Sequence, residues 1–211
     1  FNSRRKPELL SADTYSLINF RESERIVNEY NSLASGAEKL LNTLSSEYHD
    51  AFFQLVYHPV VASANLNEMY RATALNRLYA KQGRVSANAH AGKVSELFER
   101  DAELTKRYHK LGNGKWNHMM DQTHISYTYW QQPPKDVVPE TVTVTPETES
   151  KMGLALEAND QWWPQSSKPA TTPTLDPNHH TTTYIEIFSR GSKPFDFKIT
   201  SYQPWVKLSK S

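Results

Sequence analysis

Apolar residues recur every three or four positions through the first half of the chain, from about residue 20 to residue 111. This spacing puts them on one side of an α-helix, so it predicts amphipathic helices that each bury one face. Asn19 is the predicted N-cap of the first helix, and Glu22 completes a capping box. The positions predicted to be buried in this helix are Ile26, Tyr30, Leu33, Ala37, Leu40, Leu41 and Leu44.

Two further helices are predicted, from residue 46 to about 81 and from about residue 86 or 88 to 111. Pro59 lies inside the second helix and predicts that it is kinked there or divided in two. Gly83 ends the second helix, and residues 112–114 end the third in a left-handed turn. Three long helices with short connections predict an antiparallel bundle. Its predicted buried positions are Phe52, Leu55, Val56, Ala62, Leu66, Met69, Thr73, Leu78, Val94, Leu97, Phe98, Leu104, Tyr108 and Leu111.

The second half of the chain changes from helical to β-type patterning. Residues 141–144, 184–188 and 195–199 are rich in β-branched or aromatic side chains, and residues 190–194 resemble a turn. Residues 165–180 are a loop rich in proline, threonine and serine. The predicted fold class is therefore α+β: an antiparallel helical bundle followed by a partial antiparallel β-sandwich.

Composition narrows the classes of function. The 211 residues include 24 basic and 23 acidic side chains, and this balance gives no general attraction to nucleic acid or to an anionic membrane. There is no cysteine, which excludes disulfides, thiolate zinc sites and cysteine nucleophiles. No apolar run is long enough to span a bilayer, and the first seven residues lack the apolar core of a signal peptide.

The sequence assigns no catalytic residue, metal ligand or cofactor. His118 and His124, with Asp121 between them, do not have the spacing that places two imidazoles on one helical face. The helix carboxylates are predicted to lie on the solvated faces opposite the apolar stripes, where they cannot form the acid–base pair of a glycosidase. These carboxylates are Glu22, Glu24, Glu29, Glu38, Glu96, Glu99, Asp101 and Glu103.

One segment, residues 116–132, concentrates tryptophan, tyrosine, histidine and amide side chains without a helical or strand period. Flat rings and polar tips of this kind are used to bind sugars, but they also serve to pack one domain against another. The candidate substrate-binding residues are His118, Gln122, His124 and Tyr127. The candidate aromatic packing or stacking residues are Trp116, Trp130, Trp162 and Trp163.

Several stretches resemble the helical and C-terminal domains of family 115 glycoside hydrolases. The resemblance is carried by HPVVASANLNEMY at residues 58–70, NRLYA at 76–80, GKWNHMMDQTHI at 114–125 and YTYWQQPP at 127–134. It extends to NSRRKPELL at residues 2–10, YIEIF at 184–188 and GSKPF at 191–195. It thus covers nearly the whole chain.

Members of that family remove α-1,2-linked glucuronic acid or its 4-O-methyl ether from xylan. The resemblance implies that residues 1–18 are the exit from a catalytic (β/α)8 barrel that is absent here, and that residues 19–114 form the helical bundle. It further implies that residues 115–136 cross over to an incomplete β-rich module at residues 137–211. The implied partners are that barrel and, through the parent enzyme, glucuronoxylan or its oligosaccharides, with a homodimer left open. The resemblance also implies that the parent enzyme is secreted or periplasmic.

Three hypotheses about function follow. In the first, the chain is a non-catalytic C-terminal part of a xylan α-1,2-(4-O-methyl)glucuronidase that supports the barrel and supplies one wall of its substrate pocket. In the second, residues 116–132 bind glycan independently. In the third, the chain is a structural module whose exposed aromatic side chains serve only domain docking.

Overall fold

A computed structural model describes residues 10–126, 133–179 and 181–209. Its helices are α1 (Glu22–Thr43), α2 (His49–Phe52), α3 (His58–Lys81), α4 (Ala87–His109) and α5 (Leu111–Gly114). A three-stranded sheet contains β1 (Met152–Leu156), β2 (Trp162–Trp163) and β3 (Ile185–Ser189). The α+β class is confirmed, whereas the sandwich and the domain boundaries stay predictions.

The second predicted helix is divided ahead of its proline. A 3₁₀ turn (Ser46–Tyr48) and α2 lead into a π-helical segment (Phe53–Tyr57), which continues directly into α3. Pro59 is the second residue of α3, and because the helical run is continuous its ring nitrogen cannot donate a hydrogen bond to the turn before it. The α-helical pattern is interrupted in that turn, by the π-helical segment.

The predicted capping box at the start of α1 is wrong. The N-cap position belongs to Arg21, which has a left-handed backbone (φ 49°) and makes no side-chain cap. The carboxylate of Glu22 instead accepts a hydrogen bond from the backbone N–H of Ser16 at 2.7 Å. The chain thus enters α1 through a folded turn, and that turn uses the glutamate that the capping box required.

Two apolar clusters form the core of the bundle, and α4 contributes to both. The first contains Ala37, Leu41, Phe53, Tyr57, Val61, Leu104, Tyr108 and Leu111. The second contains Leu66, Met69, Tyr70, Ala72, Val94, Leu97 and Ile125. The predicted apolar stripe of α4 is confirmed: its members are buried except Phe98, which is half-buried and packs against the second cluster.

Four predicted core positions of α1 and of the segment before α3 are wrong. Leu33, Leu40, Leu55 and Val56 are 61%, 50%, 74% and 39% exposed. Helix α1 packs against α3 and the π-helical segment, so it buries one narrow face that includes Val27, and the neighbouring leucines point outward. The apolar residues of α1 follow the helical period, but that period does not give the width of the buried face.

The sheet has the order β2-β1-β3, with both pairings antiparallel. Strand β3 confirms the strand predicted at residues 184–188. The strands predicted at 141–144 and 195–199 are wrong, since neither stretch joins a ladder among the described residues. Residues 141–144 are held by side chains of the helices and not by a neighbouring strand. The other two strands of the sheet are β1 and β2, which the sequence pattern does not predict.

Among the described residues, no helix is long and apolar enough to cross a bilayer.

A buried arginine joins the bundle to the sheet. The guanidinium of Arg84 lies 4.2 Å from the ring centre of Tyr79 and 4.0 Å from that of Phe188. It donates hydrogen bonds to Gln82 Oε1 and to Glu186 Oε2, each at 2.6 Å. Stacking between two rings and hydrogen bonding to two acceptors both use the planar, forked guanidinium, which a lysine ammonium does not provide.

Candidate functional site

The name crossover segment is used for residues 115–126, the first part of the predicted crossover at residues 115–136. This segment is anchored to the bundle at both ends. At one end Trp116 is half-buried against the first apolar cluster. At the other end Ile125 is 1% exposed within the second cluster. Between them the backbone N–H of Met120 donates to His109 Nε2 at 3.2 Å. The segment is therefore part of the packed bundle, although it has no regular secondary structure of its own.

His124 is the centre of the polar contacts in this segment. Its Nε2 lies 2.8 Å from Oδ2 of Asp101, and its Nδ1 lies 3.0 Å from the carbonyl oxygen of Gln122. Asp136 approaches from the other side, where its Oδ1 accepts the backbone N–H groups of His124 and Ile125, each at 2.7 Å. Both ring nitrogens face acceptors, which is the arrangement of a doubly protonated imidazolium.

The charge of His124 follows from these contacts. Burial alone would lower its pKa, because a low dielectric disfavours the charged form. The hydrogen bond and charge of Asp101, with further contributions from the Gln122 carbonyl and Asp136, outweigh burial and raise the pKa of His124 to about 9. The imidazole is thus charged at neutral pH, and the ion pair lies between α4 and the crossover segment.

The prediction that Asp101 lies on a solvated helix face is wrong. Asp101 is 5% exposed and interrupts the buried stripe of α4 between Leu97 and Leu104. The spacing Val94, Leu97, Asp101, Leu104 was visible in the sequence as a run of alternating three- and four-residue steps. A carboxylate at a core position of such a stripe indicates a buried cationic partner, and the histidine-rich segment offered one.

The structure brings together only part of the predicted set. His118 is exposed, with its Nδ1 2.6 Å from Oδ2 of Asp121, and Gln122 is exposed beside it. His124 is half-buried, and neither of its ring nitrogens is left to meet a sugar hydroxyl. Tyr127 and Trp130 lie outside the described residues.

A cleft of about 500 Å³ opens where the crossover segment meets α3 and α4. Its polar lining includes His58, Ser63, Thr105 and Gln122, and its apolar lining includes the half-exposed Met119. Asp101 is the one carboxylate among the described residues that line it, and that carboxylate is paired with His124. A glycosidase needs two carboxyl groups across the scissile bond, and the described lining of this cleft supplies Asp101 alone.

His58 is a lining residue that the sequence did not single out. Its ring meets the ring of Tyr108 edge-on, with centroids 4.8 Å apart, and burial lowers the pKa of His58. The cleft thus combines a histidine whose burial favours the neutral form with the charged His124. Since Asp101 and Asp136 both face that single imidazolium, the surroundings do not favour binding of an anionic uronate.

The paired tryptophans lie away from this cleft, at the junction of the sheet and the bundle. Trp162 meets Phe188 edge-on at 6.3 Å, and the guanidinium of Arg190 lies 4.1 Å from its ring centre. Trp163 donates its indole N–H to the carbonyl of Lys168 at 2.7 Å. Both rings are half-buried. These contacts are typical of packing, and the stacking of a sugar on either ring stays a prediction.

Within residues 10–126, 133–179 and 181–209, no group of three or more histidine, aspartate or glutamate side chains is arranged to hold a metal ion. No protein-family model matches the chain, and a comparison with curated proteins finds no relative.

Proposed function

We propose that the chain is the non-catalytic C-terminal part of a xylan α-1,2-(4-O-methyl)glucuronidase, in which the bundle supports the catalytic barrel. The family assignment rests on the sequence resemblance. The single structural observation that supports a non-catalytic role is the cleft beside the crossover segment, which presents one carboxylate already paired with a histidine. In this proposal the barrel carries out the acid–base chemistry, and a surface of the barrel packs against the cleft.

The form of the crossover segment supports a docking role. Its interior side is fixed by the ion pair of Asp101 and His124 and by the buried Ile125, which leaves Met119 and Gln122 exposed at the rim of the cleft. A rigid surface with an exposed methionine suits packing against a second domain, because the flexible thioether adapts to an irregular partner. Contact with sugar would then come from the rim residues, since both ring nitrogens of His124 are engaged.

The first test is activity and glycan binding by the chain alone. With 4-O-methylglucuronoxylan as substrate, we expect no release of 4-O-methylglucuronic acid above the rate in buffer. With aldouronic oligosaccharides in a calorimeter, we expect no heat of binding. Saturable binding would favour the independent glycan-binding module, and release of the uronic acid would contradict the non-catalytic assignment.

The second test is support of a barrel. The chain would be joined in one polypeptide to the catalytic barrel of a family 115 α-glucuronidase, and the melting temperature of the barrel would be compared with and without it. We expect the joined polypeptide to melt at a higher temperature, and Met119→Asp at the rim to remove most of that gain. Glu99→Asp, on the exposed side of α4, is the matched control and should leave it unchanged. Equal melting temperatures for barrel and joined polypeptide would contradict the proposal.

His124 separates the two roles of the segment. If it touches substrate in the joined enzyme, His124→Ala should lower kcat/KM roughly tenfold with an unchanged melting temperature. If it only holds the segment in place, the same change should lower the melting temperature and leave the kinetics of the folded fraction alone. Its two intramolecular hydrogen bonds lead us to expect the second result.

A further inference from the structure

Residues 140–144 form an extended segment that is held to the bundle along one edge only. The side chain of Asn76 pairs with Val142, donating to its carbonyl at 2.9 Å and accepting its N–H at 2.7 Å. Asn88 pairs with Val144 in the same way, at 2.9 and 2.8 Å. The carbonyl of Glu140 accepts from the guanidinium of Arg77. Two carboxamides thus occupy the positions that a neighbouring strand would normally take.

The opposite edge of this segment carries unused backbone groups. Because alternate residues of an extended strand direct their N–H and C=O groups to the same side, the groups of Thr141, Thr143 and Thr145 point away from the bundle. We call these groups the threonine edge. Within the described part of the chain they make no hydrogen bond. All three threonines are exposed, and Val142 is 51% exposed, so no other element of the described chain covers the segment.

An open edge of this kind favours pairing with another strand. It combines threonine and valine, which have high β-propensity, with an exposed row of donors and acceptors. Pro139 and Pro146 stand on either side, and a proline cannot donate to a ladder. They confine pairing to a short stretch centred on Thr143.

The sequence of the stretch shows which partner fits. Residues 141–145 read Thr-Val-Thr-Val-Thr, which is the same in both directions. A two-fold axis at Thr143 therefore places Thr141 opposite Thr145 of the partner subunit, with threonine facing threonine and valine facing valine. Cross-strand pairs of these types are favourable, and Glu140 falls opposite a proline in place of a like charge. A closed two-fold contact of this kind is self-complementary.

We infer that the threonine edge pairs, antiparallel and about a two-fold axis at Thr143, with the threonine edge of a second copy of this chain. In this register the facing threonines exchange six backbone hydrogen bonds, two at each of the pairs 141–145, 143–143 and 145–141. The contact is short, so the dimer is expected to be weak and concentration-dependent. It is independent of the proposed function, since it requires neither a barrel nor a glycan.

The register can be tested by cross-linking, because the chain has no cysteine of its own. A hydrogen-bonded antiparallel pair has its Cα atoms about 5.5 Å apart, within the range that a disulfide spans. Mild oxidation of the Thr143→Cys variant should therefore give a disulfide-linked dimer. Thr141→Cys is the matched control, because its counterpart on the second copy lies about 13 Å away at four residues' offset. A mixture of Thr141→Cys and Thr145→Cys should link to each other.

The unmodified association can be measured by sedimentation equilibrium. We expect a reversible monomer–dimer equilibrium whose Kd rises at least tenfold in the Thr143→Pro variant, which removes the central N–H and leaves the pairing of Asn76 and Asn88 intact. Thr171→Pro, in another exposed stretch outside the sheet, should leave the Kd unchanged.

Three outcomes would overturn the inference, provided that circular dichroism shows each variant to be folded. The first is a chain that remains monomeric at high concentration, even if it binds an unrelated extended peptide. The second is a dimer that Thr143→Pro does not weaken. The third is equal cross-linking of Thr141→Cys and Thr143→Cys, which would mean contact without this register.

Discussion

The bundle and the β-rich region are held together in different ways. In the bundle, apolar side chains from α1, α3 and α4 fill two clusters, and Met69, Val94 and Leu97 have no exposed surface. Beyond residue 136, the buried apolar side chains of the described residues are Pro139, Ala155, Leu156 and Phe188. That region is fixed instead by polar side chains of the helices that reach its backbone. The bundle is therefore stabilised by burial of apolar surface, whereas the β-rich region is attached to it by directional hydrogen bonds.

The largest expected effect would test the bundle side of this comparison. Leu97 is fully buried in the second cluster, so Leu97→Ala removes buried methyl groups and leaves a cavity. We expect the free energy of unfolding to fall by about 2–5 kcal/mol. Glu99→Ala, on the exposed side of the same helix, should change it by less than about 0.5 kcal/mol. Urea titrations with similar midpoints for both variants would mean that the buried face of α4 is misassigned.

The second prediction addresses the attachment of the β-rich region. Asn76 is fully buried, and its carboxamide bonds Ala87 as well as both backbone groups of Val142. Asn76→Ala removes these hydrogen bonds and should lower the free energy of unfolding by about 2–3 kcal/mol. Asn88→Ala, at a half-buried position, should cost about 1 kcal/mol.

Hydrogen exchange would locate the second effect. The amides of Val142 and Val144 should lose protection in the Asn76→Ala and Asn88→Ala variants, respectively, while the core of α4 keeps it. Asn42→Ala, an exposed asparagine of α1, is the control and should change neither quantity. If Asn76→Ala behaves like Asn42→Ala, the segment is held by something other than the carboxamides.

These two regions also differ in how well the sequence predicts them. The apolar stripe of α4 repeats at helical spacing, and the same residues are the ones buried in the bundle. The sequence pattern therefore predicts both the helix and its core positions. The extended segment at residues 141–144 has a strand-like sequence, but its partners are single asparagines on two helices. Such pairing produces no repeating pattern in the sequence, because Asn76 and Asn88 cannot be told apart from other polar residues of a helix.

In the candidate site, the sequence predicts which residues belong to the site better than it predicts what each of them contacts. The composition of the crossover segment predicts a special role for it, and the polar ring of His124 makes that residue a candidate for binding. The prediction of a solvated Asp101 is wrong, because the spacing of the α4 stripe places that carboxylate between Leu97 and Leu104. Composition indicates that a segment is unusual. Only the pairing shows that its histidine binds the chain itself.

The third prediction concerns the pH dependence of this ion pair. Because the pKa of His124 is raised to about 9 in the folded chain, its stabilising contribution is fully present below its unfolded value and is lost as pH rises through 9. We expect the free energy of unfolding to fall by on the order of 1–3 kcal/mol between about pH 6 and about pH 10.

Asp101→Asn should flatten that pH dependence, because the neutral amide no longer favours the imidazolium. Asp121→Asn removes an exposed carboxylate beside His118 and should leave the profile unchanged. Nuclear magnetic resonance titration of the His124 ring gives the pKa directly. A midpoint near the ordinary value for histidine, together with a flat stability profile, would contradict the buried pair.

The smallest expected effect would sharpen the comparison at the surface of α1. Leu33 lies on the helical period of the apolar residues, yet it is 61% exposed, whereas Leu41 on the same helix is 8% exposed. Leu33→Gln should therefore change the free energy of unfolding by less than about 0.5 kcal/mol, while Leu41→Ala should lower it by about 2–5 kcal/mol. Glutamine has a helix propensity near that of leucine, so the Leu33 variant reports mainly the loss of buried apolar surface.

Urea titrations of the chain alone, at a concentration where it is monomeric, give both values. A large loss at Leu33 would show that α1 buries a wider face than its contact with α3 provides. A negligible loss would mean that this leucine is free to contact a partner, and that apolar spacing alone overstates the width of the core.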